Sequence, residues 1–403
     1  MEPQNQTGSA SNDSQRSQAK PPQTQRNVIA PRQVHRYERY RPLCITGLMK
    51  ALDPATRLYD RQLRSGRWES TIGTEDLTST CICLIGVHRS GLDPSNIQLD
   101  PRRTLDAAVS RARARRYPGG LGLLVWANAV WDGPEMEGLI RKTGLSLGTD
   151  GYGFASRLTT MESAWLLSGL LHEHRRRPTR ITREITEGVL RDLMERKSEG
   201  AGVMPHARRT GTPRHRMRAH IANFADQIYS IQALSFAALV LSQSRAADAA
   251  RELGRRIVEL QGPLGQWWWH YDSRGGAVSD RFPVYSVHQH AMAPMALMAL
   301  EAAGGGAFGE AIDASHEWLT HNELAVSMVD ENAETIWRDV ERDANPVSRT
   351  VSHAQELLGL HGRGEREWQS ALVLNRETRP YEWAWCLYAG AIDAGLNNEQ
   401  HIV

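Results

Sequence analysis

Acidic, phenolic and imidazole side chains stand just before several apolar stretches of this sequence. The candidates for proton transfer are Glu162, Asp226, Tyr285 and His288. Histidine titrates near neutral pH and is the commonest general acid or base, and a carboxylate or phenol can handle the other proton. Burying a carboxylate is costly unless it is paired, so an acid entering an apolar helix is a candidate for function. We therefore predict a catalytic site that works by acid/base chemistry.

A second group of residues near these four is predicted to bind substrate. Its members are Tyr229, Gln232, Trp268, Arg281, Gln289, Arg379, Tyr381 and Glu382. Tyr229 follows Asp226 by three residues and therefore shares a helix face with it. Gln289 and His288 share a face with Tyr285 in the same way. Phenol, amide, indole and guanidinium groups together match the hydroxyls and ring faces of a sugar.

Several candidates also have a structural interpretation. Glu162 is either a cavity acid or a first-turn acid that the helix dipole favours, and Asp226 is either functional or a cap or ion-pair partner. Arg379 offers a planar fork for a ligand carboxylate or phosphate, or it pairs with a neighbouring acid. The pair His288-x-His290 lacks a third ligand fixed by spacing, so no metal is predicted, and no cofactor is expected.

The elements that position these residues are helices. Six stretches are almost wholly apolar: Leu77–Val87, Leu121–Val130, Ser163–Leu171, Ile228–Leu241, Ala291–Leu300 and Trp383–Ile392. Amphipathic partners with helical spacing include Ile181–Arg196, Ala246–Leu260 and Ala311–Leu319. A helix that is apolar all round is buried, and one with a single apolar stripe lies outside. Strand signals are few. The sequence predicts an all-α fold over residues 37–398, an (α/α)6 toroid of two concentric helical layers.

Two short segments carry a resemblance to a known family. They are RQLRSGRWES, with Gln62, Gly66 and Trp68, and RRIVELQGPLGQWWWHYD, with Gln261, Gly265 and Trp267. This Gln-x3-Gly-x-Trp spacing resembles the QW repeat of squalene and terpenoid cyclases. The resemblance implies that Gln caps a helix and that Trp68 and Trp267 are buried between hairpins. The Asp-x-Asp-Asp motif of those cyclases is missing, and so is the aspartate-rich diphosphate motif of the related synthases.

The α/α toroids also include six-hairpin glycosidases, polysaccharide lyases, sugar epimerases and protein prenyltransferase subunits. The leading hypothesis is an enzyme acting on a carbohydrate or polysaccharide as a hydrolase, lyase or epimerase. One alternative is a terpenoid-cyclase-like enzyme with Asp226 or Asp76 as its acid. Another is a toroid that binds a ligand without catalysis. In each case the expected partner is a small molecule or an oligosaccharide.

Composition limits the remaining possibilities. The formal net charge of +2 does not favour nucleic acid as a partner, and no apolar run of about 20 residues predicts a membrane span. The basic loop His206–His220 is interpreted as solvated surface. The four cysteines form no disulfide or zinc pattern and are expected to be reduced and buried, which favours a cytoplasmic protein. Residues 1–36 are polar and are predicted to be a disordered tail.

Overall fold

A computed structural model describes residues 36–71, 75–209, 217–343 and 372–395. Helices make up 57% of the structure. The tail predicted over residues 1–36 lies outside the described residues except for Arg36, as do the last residues of the predicted domain, 396–398. All four cysteines are free and buried, as predicted.

Thirteen α-helices lie within these ranges. They are α1 (Arg41–Ala51), α2 (Asp76–Arg89), α3 (Pro101–Arg115), α4 (Leu121–Val130), α5 (Met136–Thr143), α6 (Tyr152–Ala155), α7 (Thr160–Arg176), α8 (Arg180–Glu199), α9 (Phe224–Leu241), α10 (Ser244–Glu259), α11 (Ala293–Ala302), α12 (Gly309–Glu317) and α13 (Pro380–Asp393). A π-helical turn, His288–Met292, leads into α11, and short 3-10 turns span Pro94–Ile97 and Pro118–Gly120.

The inner layer is a closed ring of six helices. Helix α2 packs on α4, α4 on α7, α7 on α9, α9 on α11 and α11 on α13, and α13 returns to α2. Five of the six contain a predicted apolar stretch in full, and the sixth stretch, Ala291–Leu300, begins in the π-helical turn and continues into α11. Outer helices cover the ring: α3 lies on α2, α8 on α7, α10 on α9, α12 on α11 and α1 on α13. The prediction of an all-α toroid is confirmed.

Close approach of α4 and α7 depends on two glycines. A Cβ atom on Gly122 would lie 2.3 Å from the backbone nitrogen of Leu166, and one on Gly169 would lie 2.3 Å from the carbonyl oxygen of Gly122. Neither backbone can move aside cheaply because both belong to inner helices. The glycines therefore fix the spacing between these two members of the ring.

Eleven short strands accompany the helices. They are β1 (Arg61–Arg64), β2 (Arg67–Ser70), β3 (Ile221–Asn223), β4 (His270–Asp272), β5 (Ala277–Asp280), β6 (Val284–Tyr285), β7 (Val329–Asp330), β8 (Thr335–Ile336), β9 (Asp339–Arg342), β10 (Leu372–Asn375) and β11 (Glu377–Thr378). The antiparallel sheets have the orders β11-β1-β2, β10-β9-β6, β3-β4-β5 and β7-β8. With at most four residues each, these strands are too short to show the alternation that predicts a strand from sequence.

The larger sheets gather where inner helices begin. Strand β3 runs directly into α9, β11 precedes α13, and β6 precedes the π-helical turn. Since these helices belong to one ring, their starts surround one opening, which we call the mouth. The candidate residues lie there because they occupy these same junctions.

Helix α9 is long and apolar enough, by length and composition alone, to cross a membrane. However, 78% of that stretch is buried inside the structure, between α7 and α11. Burial on both sides is what an inner helix of a toroid requires, and this position accounts for its composition.

Candidate functional site

Three inner helices begin with the same arrangement at the mouth. The third residue of the helix is an acid whose carboxylate accepts a hydrogen bond from the backbone N–H three residues earlier. The acids are Glu162, Asp226 and Glu382, and their donors are Thr159, Asn223 and Arg379, at 2.9, 3.0 and 3.3 Å. Such acids stabilise a helix start by satisfying unpaired N–H groups. The capping interpretation therefore holds for all three, and what distinguishes them is their remaining contacts.

Glu162 on α7 has a phenol as its second partner. The Tyr117 hydroxyl donates to Glu162 Oε1 at 2.6 Å, and the Glu162 side chain is only half-buried. A Cβ on Gly119 would lie 1.8 Å from the same oxygen, so this carboxylate fits only because residue 119 is glycine. Burial raises the pKa of Tyr117, and the charge and hydrogen bond of Glu162 raise it further. Tyr117 thus remains a proton donor to Glu162.

Asp226 on α9 is fully buried and joins two elements besides its own helix. Its Oδ1 accepts from the backbone N–H of Met161 at 2.9 Å, and its Oδ2 accepts from His206 Nδ1 at 2.9 Å. Burial alone would lower the pKa of His206, but the adjacent carboxylate and its hydrogen bond raise it. With both oxygens occupied, Asp226 orients His206 and is less exposed to a substrate than sequence analysis expected.

His206 is the functional candidate that sequence analysis missed. The loop carrying it was interpreted as solvated surface, yet its backbone carbonyl accepts from Thr160 N–H at 2.8 Å, which fixes the loop at the start of α7. The charge of Glu162 acts on the His206 ring, and no described residue bonds its Nε2. Nothing in helical spacing could reveal this contact. We call Tyr117, Glu162, His206 and Asp226 the acid/base cluster.

A second group at the mouth is aromatic. The Tyr285 ring lies 4.9 Å from Trp269 and 5.0 Å from His288. His288 is 4% exposed, and no described residue hydrogen-bonds its Nδ1. Burial, with smaller effects of Arg338 and His290, lowers the pKa of His288 to about 3, so the ring is neutral. We call Trp269, Tyr285 and His288 the aromatic wall.

The predicted convergence of Asp226 with Tyr285 and His288 is only indirect. Tyr285 and His288 touch each other, and His288 reaches the start of α9 through Phe224, 4.5 Å away between ring centroids. No described contact joins either residue to Asp226. The two groups lie on neighbouring inner helices and not in one hydrogen-bonded set.

Three predicted substrate-binding residues are engaged elsewhere. Gln289 accepts from the Trp267 backbone N–H at 3.2 Å and donates to the Tyr285 carbonyl at 3.0 Å, so its amide is used in packing. Trp268 is buried, with the exposed Arg281 guanidinium 5.5 Å from its ring centroid. The half-buried indole at the mouth is that of Trp269, one residue later than predicted.

The opposite side of the mouth holds a buried arginine. Arg338 Nη1 lies 3.1 Å from Glu382 and 3.5 Å from Glu377, and its Nε lies 3.4 Å from Asp339. Burial raises the pKa of Asp339 and that of Glu382 to about 7, although Arg338 opposes both shifts. The Arg338 guanidinium also lies 5.1 Å from the Tyr285 ring centroid. Arg338, Asp339, Glu377 and Glu382 form what we call the Arg338 cluster.

Arg379 does not offer the open fork that sequence analysis allowed. Its guanidinium pairs with Glu377 and with Glu75, so the alternative of an ion pair is the one observed. Tyr381, two residues after Arg379, is half-buried, and burial raises the pKa of its phenol. Arg379 therefore links the start of α13 to the residue that precedes α2.

Tyr229 and Gln232 lie deeper inside the ring than the mouth. The Tyr229 ring is 5.3 Å from Trp165 on α7 and 6.1 Å from Trp385 on α13. Gln232 is fully buried, and neither atom of its amide bonds any described residue. Trp126 on α4 adds a further indole 5.9 Å from Trp385. The interior below the mouth is thus filled by packed aromatic side chains.

The two Gln-Trp segments differ from each other. Gln261 donates to the carbonyls of Gly265 and Ala311 at 2.8 and 3.0 Å, and Trp267 is fully buried. The prediction for Trp267 is confirmed.

The first segment folds differently from that expectation. Gln62 and Trp68 lie on the paired strands β1 and β2, and Trp68 is partly buried. The turn between them, Ser65-Gly66, has φ of 49° and 77°, which is typical of a tight hairpin. Trp68 packs against Trp383 of α13, 6.0 Å away between ring centroids, so it is largely covered as predicted, but it lies on a hairpin and not in the expected loop between helices.

No family model matches the chain, and no curated protein matches its sequence. Solved structures do match its fold. Unsaturated glucuronyl hydrolase from Bacillus sp. GL1 is 11% identical over 90% of this chain and 97% of its own, with a TM-score of 0.54. An unsaturated glucuronyl hydrolase specific for heparin gives the same four values.

A third match is a possible member of the GH105 family from Salmonella enterica serovar Paratyphi A. It is 9% identical over 93% of this chain and 98% of its own, with a TM-score of 0.55. Identities this low show the fold alone, and the terpenoid-cyclase branch gains no support from these neighbours. The chain thus has the α/α-toroid fold of the six-hairpin glycosidase-like structures.

Proposed function

We propose that this chain is a carbohydrate-active enzyme that hydrolyses an oligosaccharide at the acid/base cluster. The observation that carries the proposal is the pairing of a half-buried acid, Glu162, with the Asp226–His206 couple at one mouth of the toroid. The named activities of the structural neighbours support a carbohydrate as the substrate. The half-buried rings of Trp269 and Tyr285 suit the faces of sugar rings.

The roles follow from the contacts. The Glu162 carboxylate, held in place by Tyr117, takes one proton from the attacking water as the water oxygen bonds to the anomeric carbon. His206 donates a proton from Nε2 to the glycosidic oxygen as the bond from that oxygen to the anomeric carbon breaks. Asp226 is a positioning residue because it holds His206 Nδ1 and does not face the substrate itself.

A lyase or epimerase would use the same proton donors and acceptors without adding water. A terpenoid-cyclase-like activity has one observation in its favour, the aromatic interior that includes Trp126, Trp165 and Trp385. Its alternative acid, Asp76, is engaged, since the carboxylate pairs with Arg111 at 3.2 Å and Arg115 at 3.6 Å on α3. A binding module without catalysis would make the proton-transfer groups dispensable.

Mass spectrometry in H₂¹⁸O separates these activities. The protein is incubated with a panel of neutral, amino and uronate oligosaccharides and, separately, with prenyl diphosphates. We expect shorter sugars carrying one ¹⁸O atom, and we expect Glu162→Gln to abolish their formation. The control is Glu184→Gln, which changes an exposed acid on α8. Unsaturated products without ¹⁸O, products of unchanged mass, or prenyl products would each contradict hydrolysis.

A further inference from the structure

Acids outnumber cations on the α13 side of the mouth. Among the described residues, three guanidinium groups contact four carboxylates there: Arg338, Arg379 and the exposed Arg64 against Asp339, Glu377, Glu382 and Glu75. Asp339, Glu377 and Glu382 are at most 5% exposed. A buried surplus of negative charge is unfavourable unless protons or a bound cation neutralise it.

Two of the buried polar atoms on this side have no hydrogen-bond partner among the described residues and belong to neighbours of Tyr285. Asp339 is 2% exposed, and no described residue bonds its Oδ1, while Oδ2 accepts from Asn375 at 3.2 Å. His288 Nδ1 is the other. An unpaired buried polar atom is costly, so a ligand that supplies its partner would be stabilised there.

Tyr285 is a neighbour of both residues that carry these atoms. It pairs directly with Asp339 across strands β6 and β9, so both side chains project from the same side of the sheet. Its ring also contacts His288, 5.0 Å away between ring centroids. The half-buried rings of Tyr285 and Trp269 thus lie beside one residue with an unpaired carboxylate oxygen and one with an unpaired imidazole nitrogen.

We propose that this surface binds an amino sugar, with its protonated amine on Asp339 Oδ1 and its ring stacked on Tyr285 and Trp269. The inference rests on the proposed function and names the substrate class for the same mouth. An ammonium group supplies both the N–H donor that Oδ1 lacks and the positive charge that the cluster lacks. A uronate would instead bring a fifth carboxylate to this side.

The shifted titration of the cluster agrees with this assignment. Burial raises the pKa of Asp339 and of Glu382 to about 7, so without a ligand these carboxyls are partly protonated near neutral pH. A bound ammonium would take the place of those protons.

Isothermal titration calorimetry with three probes tests the inference: the glucosamine tetramer of chitosan, the fully N-acetylated chitin tetramer, and tetragalacturonate. We expect the glucosamine tetramer to bind at least about tenfold more tightly than either of the others, a difference of about 1.4 kcal/mol. Asp339→Asn should remove most of that preference, and Glu184→Gln should keep it. Equal affinities for the three probes, or a preference for tetragalacturonate, would overturn the inference.

If Asp339→Asn does not fold, the affinity of the unaltered protein for each sugar is measured at several NaCl concentrations. Binding of the glucosamine tetramer should weaken as NaCl rises, whereas binding of the chitin tetramer should change little. If the affinities for the glucosamine and chitin tetramers are both independent of NaCl concentration, the charge-based assignment is overturned.

If a neutral or uronate sugar is hydrolysed in a Glu162-dependent way without any amine preference, the inference fails and the proposed function stands. If no sugar is turned over, the proposed function fails too.

Discussion

The two sides of the mouth have acids at the same capping position, but these acids differ in their other partners. On the α7–α9 side, Glu162 and Asp226 meet a phenol and an imidazole, and Glu162 remains half-buried. On the α13 side, Glu382 is 2% exposed and meets the guanidinium of Arg338. Acids that cap equivalent helices therefore differ in availability because their second partners differ. Proton transfer suits the first side, and charge-based binding suits the second.

The largest expected effect that distinguishes the two sides of the mouth is on the free energy of unfolding. Arg338→Gln leaves three buried carboxylates without their shared cation, and removing one partner of a buried ion pair costs roughly 3–5 kcal/mol. The exposed pair Arg180–Glu184 gives the matched control, where Arg180→Gln should cost at most about 1 kcal/mol. Urea unfolding measures both free energies. Similar losses of unfolding free energy in the two variants would show that the ion pairs of the Arg338 cluster do not stabilise the fold more than an exposed pair does.

The next effect is on rate. His206→Gln should lower turnover by about 10²–10⁴-fold, the usual contribution of a positioned acid or base. Because the pKa of His206 is raised and its protonated form donates the proton, activity should fall as pH rises through a midpoint above about 6.5. Asp226→Asn should move that midpoint to lower pH. The pH–rate profiles test this, and an unmoved midpoint would remove His206 from the mechanism.

A smaller effect is expected from Gly119→Ala. The added methyl group would collide with Glu162 Oε1, which sits at the end of a flexible side chain and can swing away at little cost. We expect turnover to fall by about tenfold, while the melting temperature changes little, because only the carboxylate is displaced. Gly153→Ala is the control, since nothing lies within 4 Å of its added methyl. Full activity in Gly119→Ala would mean that the Tyr117–Glu162 contact is dispensable.

The smallest effect is a pH-dependent gain in stability. The folded pKa of Asp339 is about 7, above an unfolded value of about 3.9, so the native state binds more protons and its stability falls as pH rises between these values. Asp339→Asn removes that loss. The variant should therefore melt a few degrees higher than the parent at pH 8, with a smaller or reversed difference at pH 4. Calorimetry at the two pH values measures it, and an equal shift at both would contradict the raised pKa.

The ring of inner helices could be predicted from sequence because a helix that is buried on all sides is a continuous apolar stretch. A stretch such as Ile228–Leu241 predicts an inner helix even when its neighbours are unknown. The acids Glu162 and Asp226 could be placed at helix starts for the same reason.

Contacts between segments that are distant in the sequence produce no such pattern. His206 meets Asp226 only because the chain after α8 returns to the mouth, and Asp339 meets Tyr285 only through a strand pair of two residues. Neither involves a periodic pattern. The Ser65-Gly66 hairpin was missed for a related reason, since its four-residue strands show too little alternation.

The central claim, that Glu162 and His206 act as one catalytic unit, is tested most directly by a double-mutant cycle on kcat/KM. Glu162→Gln, His206→Gln and the double variant are compared on the substrate identified by ¹⁸O incorporation, each after circular dichroism confirms its fold. Residues that act as a unit are strongly non-additive, so we predict that the double variant loses little more than the worse single variant. Losses that multiply, or single variants that retain full kcat/KM, would contradict the account.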